Sequence, residues 1–138
     1  SYLKKSGADT IEVKKLFNSD IKDFITKAEI IQNAKVINNN ICLAYTKTET
    51  DNINIVIAQA ADELLNIKEV EASFVLARKD DRVFISARSL GNINVHVLME
   101  NLGGGGHRDM AGAQLDTSLE KAYEMVKDTI QTCIKEEE

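Results

Sequence analysis

The chain has 138 residues, enough for one domain with a core of its own and no dependence on disulfide or metal staples. Acidic residues outnumber basic ones, 22 to 17, for a net charge of -5. That balance argues against long nucleic acid gripped along its phosphates, and it leaves room for a short phosphate-bearing ligand served by one or two local cations. No apolar run approaches the ~20 residues of a membrane-spanning helix. The opening at Ser1 lacks a basic-then-apolar leader, so we expect a cytoplasmic piece of something longer.

Taken in chain order, the first third reads as helical. Val13, Leu16 and Phe17 have helical spacing, and Ile21, Phe24, Ile25, Ala28 and Ile31 continue as an apolar stripe that ends near Asn33. Ser19 or Asp20 is suited to cap this second helix. Val36-Ile37, an Asn38-Asn39-Asn40 turn and Ile41 to Tyr45 read as a β-hairpin. Asn52 opens a helix with Ile53, Val56, Ile57, Ala60 and Leu64 on its inner face. Ala72 to Arg78 and Val83 to Ser89 read as strands joined by a Lys79-Asp80-Asp81 turn. A short helix over Val95 to Leu102, a strand over Met110 to Leu115, and a helix from Thr117 complete the chain. Thr117 and Glu120 fit a capping box there, and Leu119, Ala122, Val126, Ile130 and Cys133 form its apolar stripe. Helices alternate with strands, so the expected class is α/β: a mixed β-sheet with flanking helices, preceded by a helical linker.

Two features carry chemistry. The first is Gly103-Gly104-Gly105-Gly106 running into His107. Glycine permits positive φ and exposes backbone N–H groups, so such a run can form an anion-binding nest. His107 at its exit can donate a ring N–H to phosphate or stack on a base. The plainer reading is a flexible loop with an incidental histidine. The second is the strand 83–89, where Val83, Ile85 and Ala87 share an apolar face and Arg82, Phe84, Ser86 and Arg88 share the other. Ser86 and Arg88 offer a hydroxyl and a bidentate fork to phosphate; taken alone they are a solvated sheet face. Of Asn92 and Asn94, one is expected to cap the short helix and the other is available to a ligand. His96 reads as a helix residue without a site role. Arg108 and Asp109 pair with each other or face solvent, and 135–138 is a solvated tail. Cys42 and Cys133 lack metal-ligand spacing and read as reduced core thiols.

Gly104-Gly105-Gly106-His107 with Ala111-Gly112, together with Ser86-Ala87-Arg88-Ser89 followed by Gly91 and Asn92, resembles the DHH-associated domain. This domain follows the catalytic DHH domain in RecJ-like exonucleases and in oligonucleotide and cyclic dinucleotide phosphodiesterases. The resemblance spans roughly Val36 to Cys133. It departs at Met110, where the commoner pattern has Ala-Ala-Gly, and in the extra Gly103. Tyr2 to Asp9 and Val13 to Phe17 resemble the interdomain linker of membrane-anchored bacterial cyclic-di-AMP phosphodiesterases of the GdpP type.

The resemblance implies a linker over 1–34 and a substrate-binding domain over 35–138. It implies substrate contacts from Ser86, Arg88, Ser89, Asn92, Gly104, Gly105, Gly106 and His107. The expected ligand is a cyclic or short linear dinucleotide. The expected partners are the DHH domain of the same parent and a second copy, with long nucleic acid disfavoured. Manganese would belong to the parent's DHH domain. This chain has two histidines and no Asp-His-His run, so no cofactor, metal or catalytic residue is expected in it. The competing reading is a nucleic-acid module as in RecJ-like exonucleases, oligoribonucleases or alanyl-tRNA synthetases; a purely structural domain is a weaker one.

Overall fold

The computed structural model describes residues 21–137, with side chains as far as residue 134. The first expected helix, the Ser19 or Asp20 cap and the 135–138 tail side chains lie outside what is described. Helix α1 covers residues 21–32. It is followed by β1 (Lys35–Ile37), β2 (Ile41–Thr46), α2 (Ile53–Leu64), β3 (Ala72–Lys79), β4 (Arg82–Ser89), α3 (Val95–Glu100), β5 (Gly105–His107), β6 (Met110–Leu115) and α4 (Leu119–Glu137). The described residues thus form an α/β fold around one mixed six-stranded sheet, ordered β1-β2-β3-β4-β6-β5. Among these strands only β2 and β3 pair in parallel, and α2 is the crossover between them.

The turns follow from their residues. Asn38 and Asn39 (φ 52 and 68) and Asp80 and Asp81 (φ 53 and 64) occupy the left-handed region that Asn and Asp tolerate best among residues with a Cβ. Two such residues in succession match the right-handed twist of a hairpin, so β1-β2 and β3-β4 fold back tightly. The second turn is two residues long, because Lys79 pairs with Arg82.

The two sheet faces carry separate cores. Ile41, Leu43, Phe74, Leu76, Val83, Ile85 and Ala87 bury against α3 and the expected Leu119, Ala122, Val126, Ile130 stripe of α4. Cys42, Ala44, Val75 and Ala77 bury against Val56, Ile57, Ala60 and Leu64 of α2 and Ile30 of α1. Buried Ser73 keeps its hydroxyl satisfied by donating to the carbonyl of Ala61 on α2 at 2.6 Å. Burial also pushes the Cys42 thiol above its ordinary range, as for a protonated core residue.

Two local expectations are corrected. Most of the α1 stripe faces outward, with Ile21, Phe24 and Ile25 42%, 66% and 51% exposed, while Ile31 packs partly buried against the core and Thr26 and Ile30 turn inward. Thr26 can be buried because its hydroxyl donates to the Lys22 carbonyl at 2.9 Å. The cap of α4 is Ser118, whose Oγ accepts from the amide of Lys121 at 3.1 Å, and not Thr117. Asn52 stands at the start of α2 as expected, but its side chain donates to Asp23 and its backbone carbonyl receives the first helical amides.

Candidate functional site

The core under α1 and α2 draws on β2 and β3, and no buried residue of β6 or β5 belongs to it. The same face of β6 and β5 is therefore left open among the described residues, while on β4 it is partly covered by α2, with Phe84, Ser86 and Arg88 half-buried. Strand register decides what it displays, since residues paired directly across two strands project to one side. Arg88 pairs with Met110, and Met110 with His107. One step along, Ser86 pairs with Gly112, and Gly112 with Gly105. One step further, Phe84 pairs with Gln114. The middle row has one hydroxyl and two glycines. It is a bare trough between a cationic-imidazole row and an aromatic-amide row.

Over the Phe84 and Ser86 end the trough deepens to a groove of about 600 Å³, walled by Asn54 and Ile57 of α2 and floored by Gly104 and Gly112. That volume suits a small organic ligand. Its far rim is held by Arg82, which pairs with Asp116 at 3.2 Å and donates to Gln114 at 3.2 Å. Arg88 and His107 stand beyond the groove's lining, on the same face. Neighbouring strands lie ~4.8 Å apart, so the backbones of Arg88 and His107, with β6 between them, are separated by roughly 10 Å.

The glycine run is half turn and half strand. Gly103 (φ 82) ends α3, its amide donating to Glu100 and the next amide, of Gly104, to Met99 at 2.8 Å. Those two amides are spent on helix carbonyls and do not face the groove as a nest requires. A Cβ on Gly104 would collide with the carbonyl of Gly112 and with Ala113, and one on Gly106 (φ 142) with Ala111 and the Met110 carbonyl. Gly105 has open space where its Cβ would be. Gly105 to His107 then form edge strand β5, which carries no apolar periodicity to reveal it. The exposed His107 therefore faces the trough, with Met110, 51% exposed, between it and Arg88.

The other candidates divide. Ser86 lines the groove. Ser89 is buried on the opposite face, where its Oγ accepts from the amide of Gly91 at 2.9 Å and shapes the loop. Asn94 is the cap of α3, accepting from the amides of His96 and Val97. Asn92 is the exposed one, and it donates to Glu71 at 3.0 Å. Arg108 does not pair with Asp109; its Nε donates to the Gly91 carbonyl at 2.7 Å and ties the β5-β6 turn to the loop before α3. His96 sits beside Glu100 on the α3 surface at 3.5 Å. Phe84, Met110, Gly112 and Gln114 are not singled out as contacts by the sequence. Only the β4-β6 register, a pairing across some 26 residues, brings them to this face. Among the described residues no three His, Cys, Asp or Glu side chains converge as a metal ion needs, and no described helix is long and apolar enough to cross a membrane.

The DHHA1 domain family matches residues 38–136, from the β1-β2 turn into α4. The chain belongs to the DHHA1 domain family. DHHA1 relatives include the cyclic-di-AMP phosphodiesterase GdpP of Bacillus subtilis (strain 168), 43% identical over 94% of this chain and 20% of that protein. The cyclic-di-AMP phosphodiesterase PdeA of Listeria monocytogenes serotype 1/2a (strain 10403S) is 40% identical over 88% of this chain and 19% of that protein. A membrane protein-large ribosomal subunit bL9 fusion protein of the Aster yellows witches'-broom phytoplasma (strain AYWB) is 34% identical over 98% of this chain and 16% of that protein. The chain thus spans a fifth or less of the length of these curated relatives. In fold, the DHHA1 chain matches an exopolyphosphatase-related protein from Bacteroides fragilis with a TM-score of 0.70 at 21% identity, over 80% of this chain and 34% of that one. RecJ in complex with Mn2+ from Thermus thermophilus matches with a TM-score of 0.62 at 16% identity, over 87% of this chain and 18% of that one.

Proposed function

We propose that this DHHA1 domain is the substrate-binding part of a cyclic-di-AMP phosphodiesterase, gripping a cyclic or short linear dinucleotide for a DHH domain in the same parent chain. The observation that carries the reading is the bare Ser86, Gly112, Gly105 row, flanked by Arg88 and His107 on one side and by Phe84 and Gln114 on the other. A row with no side chain larger than serine lets a flat or branched ligand approach the backbone closely. Arg88, His107 and Ser86 supply donors to a phosphate, while Met110 and Phe84 supply apolar surface for a base. Gly104 and Gly106 keep β5 tight against β6. Ser89 and Asn92 act in this reading through the loop between β4 and α3.

Manganese bound in the DHH domain would supply the activated water that attacks phosphorus; the residues described here bind and orient. The parent is taken to be cytoplasmic in this part and membrane-anchored elsewhere, and a second copy of the chain is a further partner in the reading. The net charge of -5 weighs against the RecJ-like alternative, a grip on long nucleic acid.

The test is calorimetric titration of cyclic-di-AMP into the full-length parent, in metal-free buffer so that nothing turns over. Arg88→Ala is expected to weaken binding ten- to hundredfold, the equivalent of ~1.5–3 kcal/mol for a charge-assisted contact. His107→Ala is expected to weaken it as well. Unchanged affinity in both, with folding intact, would place the site elsewhere. A long single strand that binds far more tightly than the dinucleotide would favour the nucleic-acid reading instead.

A further inference from the structure

Arg88 does not stand in the trough as a bare cation. Its Nε donates to Oδ1 of Asp62 at 3.0 Å, and its Nη1 donates to the carbonyl of Ala87 at 3.0 Å. The Arg88 side chain is 12% exposed and that of Asp62 60%. A guanidinium holds five N–H groups in one plane. Two anchors fix that plane and leave three N–H groups for something else. Asp62 stands on α2, the helix that also walls the groove with Asn54 and Ile57. An ion pair whose carboxylate lies largely in water adds little to stability, so its value to the molecule is better sought in the direction it gives the arginine.

We infer that Asp62 is a positioning residue: it orients the Arg88 guanidinium so that the remaining N–H groups meet a substrate phosphate. The inference rests on the reading of Arg88 as a phosphate ligand given above. It makes a prediction whose sign Coulomb's law alone would reverse. Removing a negative charge beside an anion site ordinarily strengthens anion binding. Here the carboxylate is exposed and its repulsion screened by water, whereas losing the anchor returns the long arginine side chain to many rotamers that binding must then restrict.

The experiment is a double-mutant cycle on the full-length parent, with the Kd for cyclic-di-AMP measured in metal-free buffer. Asp62→Ala is expected to weaken binding roughly fivefold in the wild-type background and to have no effect in the Arg88→Ala background. Asp62→Asn keeps an acceptor at the same place and is expected to bind within about twofold of wild type. The inference is overturned if Asp62→Ala tightens binding or leaves it unchanged while Arg88→Ala weakens it. It is also overturned if Asp62→Ala costs the same in both backgrounds, as a merely structural role would, or if Asn fails as Ala does. Should Arg88→Ala itself leave Kd unchanged, the phosphate-ligand reading fails first and the inference falls with it.

Discussion

Within the glycine run, Gly105 has an ordinary φ and open space around the position of a Cβ, while Gly104 and Gly106 press their α-carbons against β6. The fold therefore requires glycine at 104 and 106 for close approach, and at 105 it does not. Gly104→Ala and Gly106→Ala should each lower unfolding stability by about 1–3 kcal/mol, the usual cost of forcing an extra carbon into filled space. Gly105→Ala should be neutral or stabilising by up to ~1 kcal/mol, because a Cβ restricts the unfolded chain. Urea denaturation of the three variants checks the ordering. Equal losses at all three positions would show that the space over Gly105 is not open. In the proposed reading, the glycine the fold can spare lies where a side chain would meet the ligand.

At the scale of elements, Ser118 holds the first turn of α4 and Thr117 does not. Ser118→Ala should cost about 1 kcal/mol and Thr117→Ala little, read as shifts in the thermal midpoint; the reverse order would restore the Thr117 capping box. The two residues are adjacent and chemically alike, which is why the sequence favours the wrong one. The alternation along β4 is legible, because period two puts Val83, Ile85 and Ala87 on one side and Ser86 and Arg88 on the other whatever the partners are. Strand β5 is hidden, since glycines have no side chains to show a period. The inner face of helix α1 comes out rotated from the expected stripe, because the burial of Thr26 depends on a hydroxyl bond to Lys22 that hydropathy does not register. The Arg88 to Asp62 contact crosses from β4 to α2 and cannot be read from either segment alone. The candidate site is thus partly legible: its donors lie in two short motifs, while its shape comes from the β4-β6-β5 register.

For the molecule as a whole, the helices on one face of the sheet reach only as far as β4 and leave β6 and β5 open on that face among the described residues. The chain spans a fifth or less of its curated relatives, and in the reading proposed above a DHH domain of the parent closes over the ligand on that uncovered part. The central claim is that the bare row at Ser86, Gly112 and Gly105 is where the dinucleotide lies. The most direct measurement is titration of cyclic-di-AMP into the full-length parent and its Gly105→Leu variant, in metal-free buffer, with denaturation midpoints recorded for both. The expected result is an unchanged midpoint with affinity reduced at least about tenfold, since a leucine would fill space the ligand needs and the fold does not. A folded Gly105→Leu variant that binds with wild-type affinity would contradict the claim.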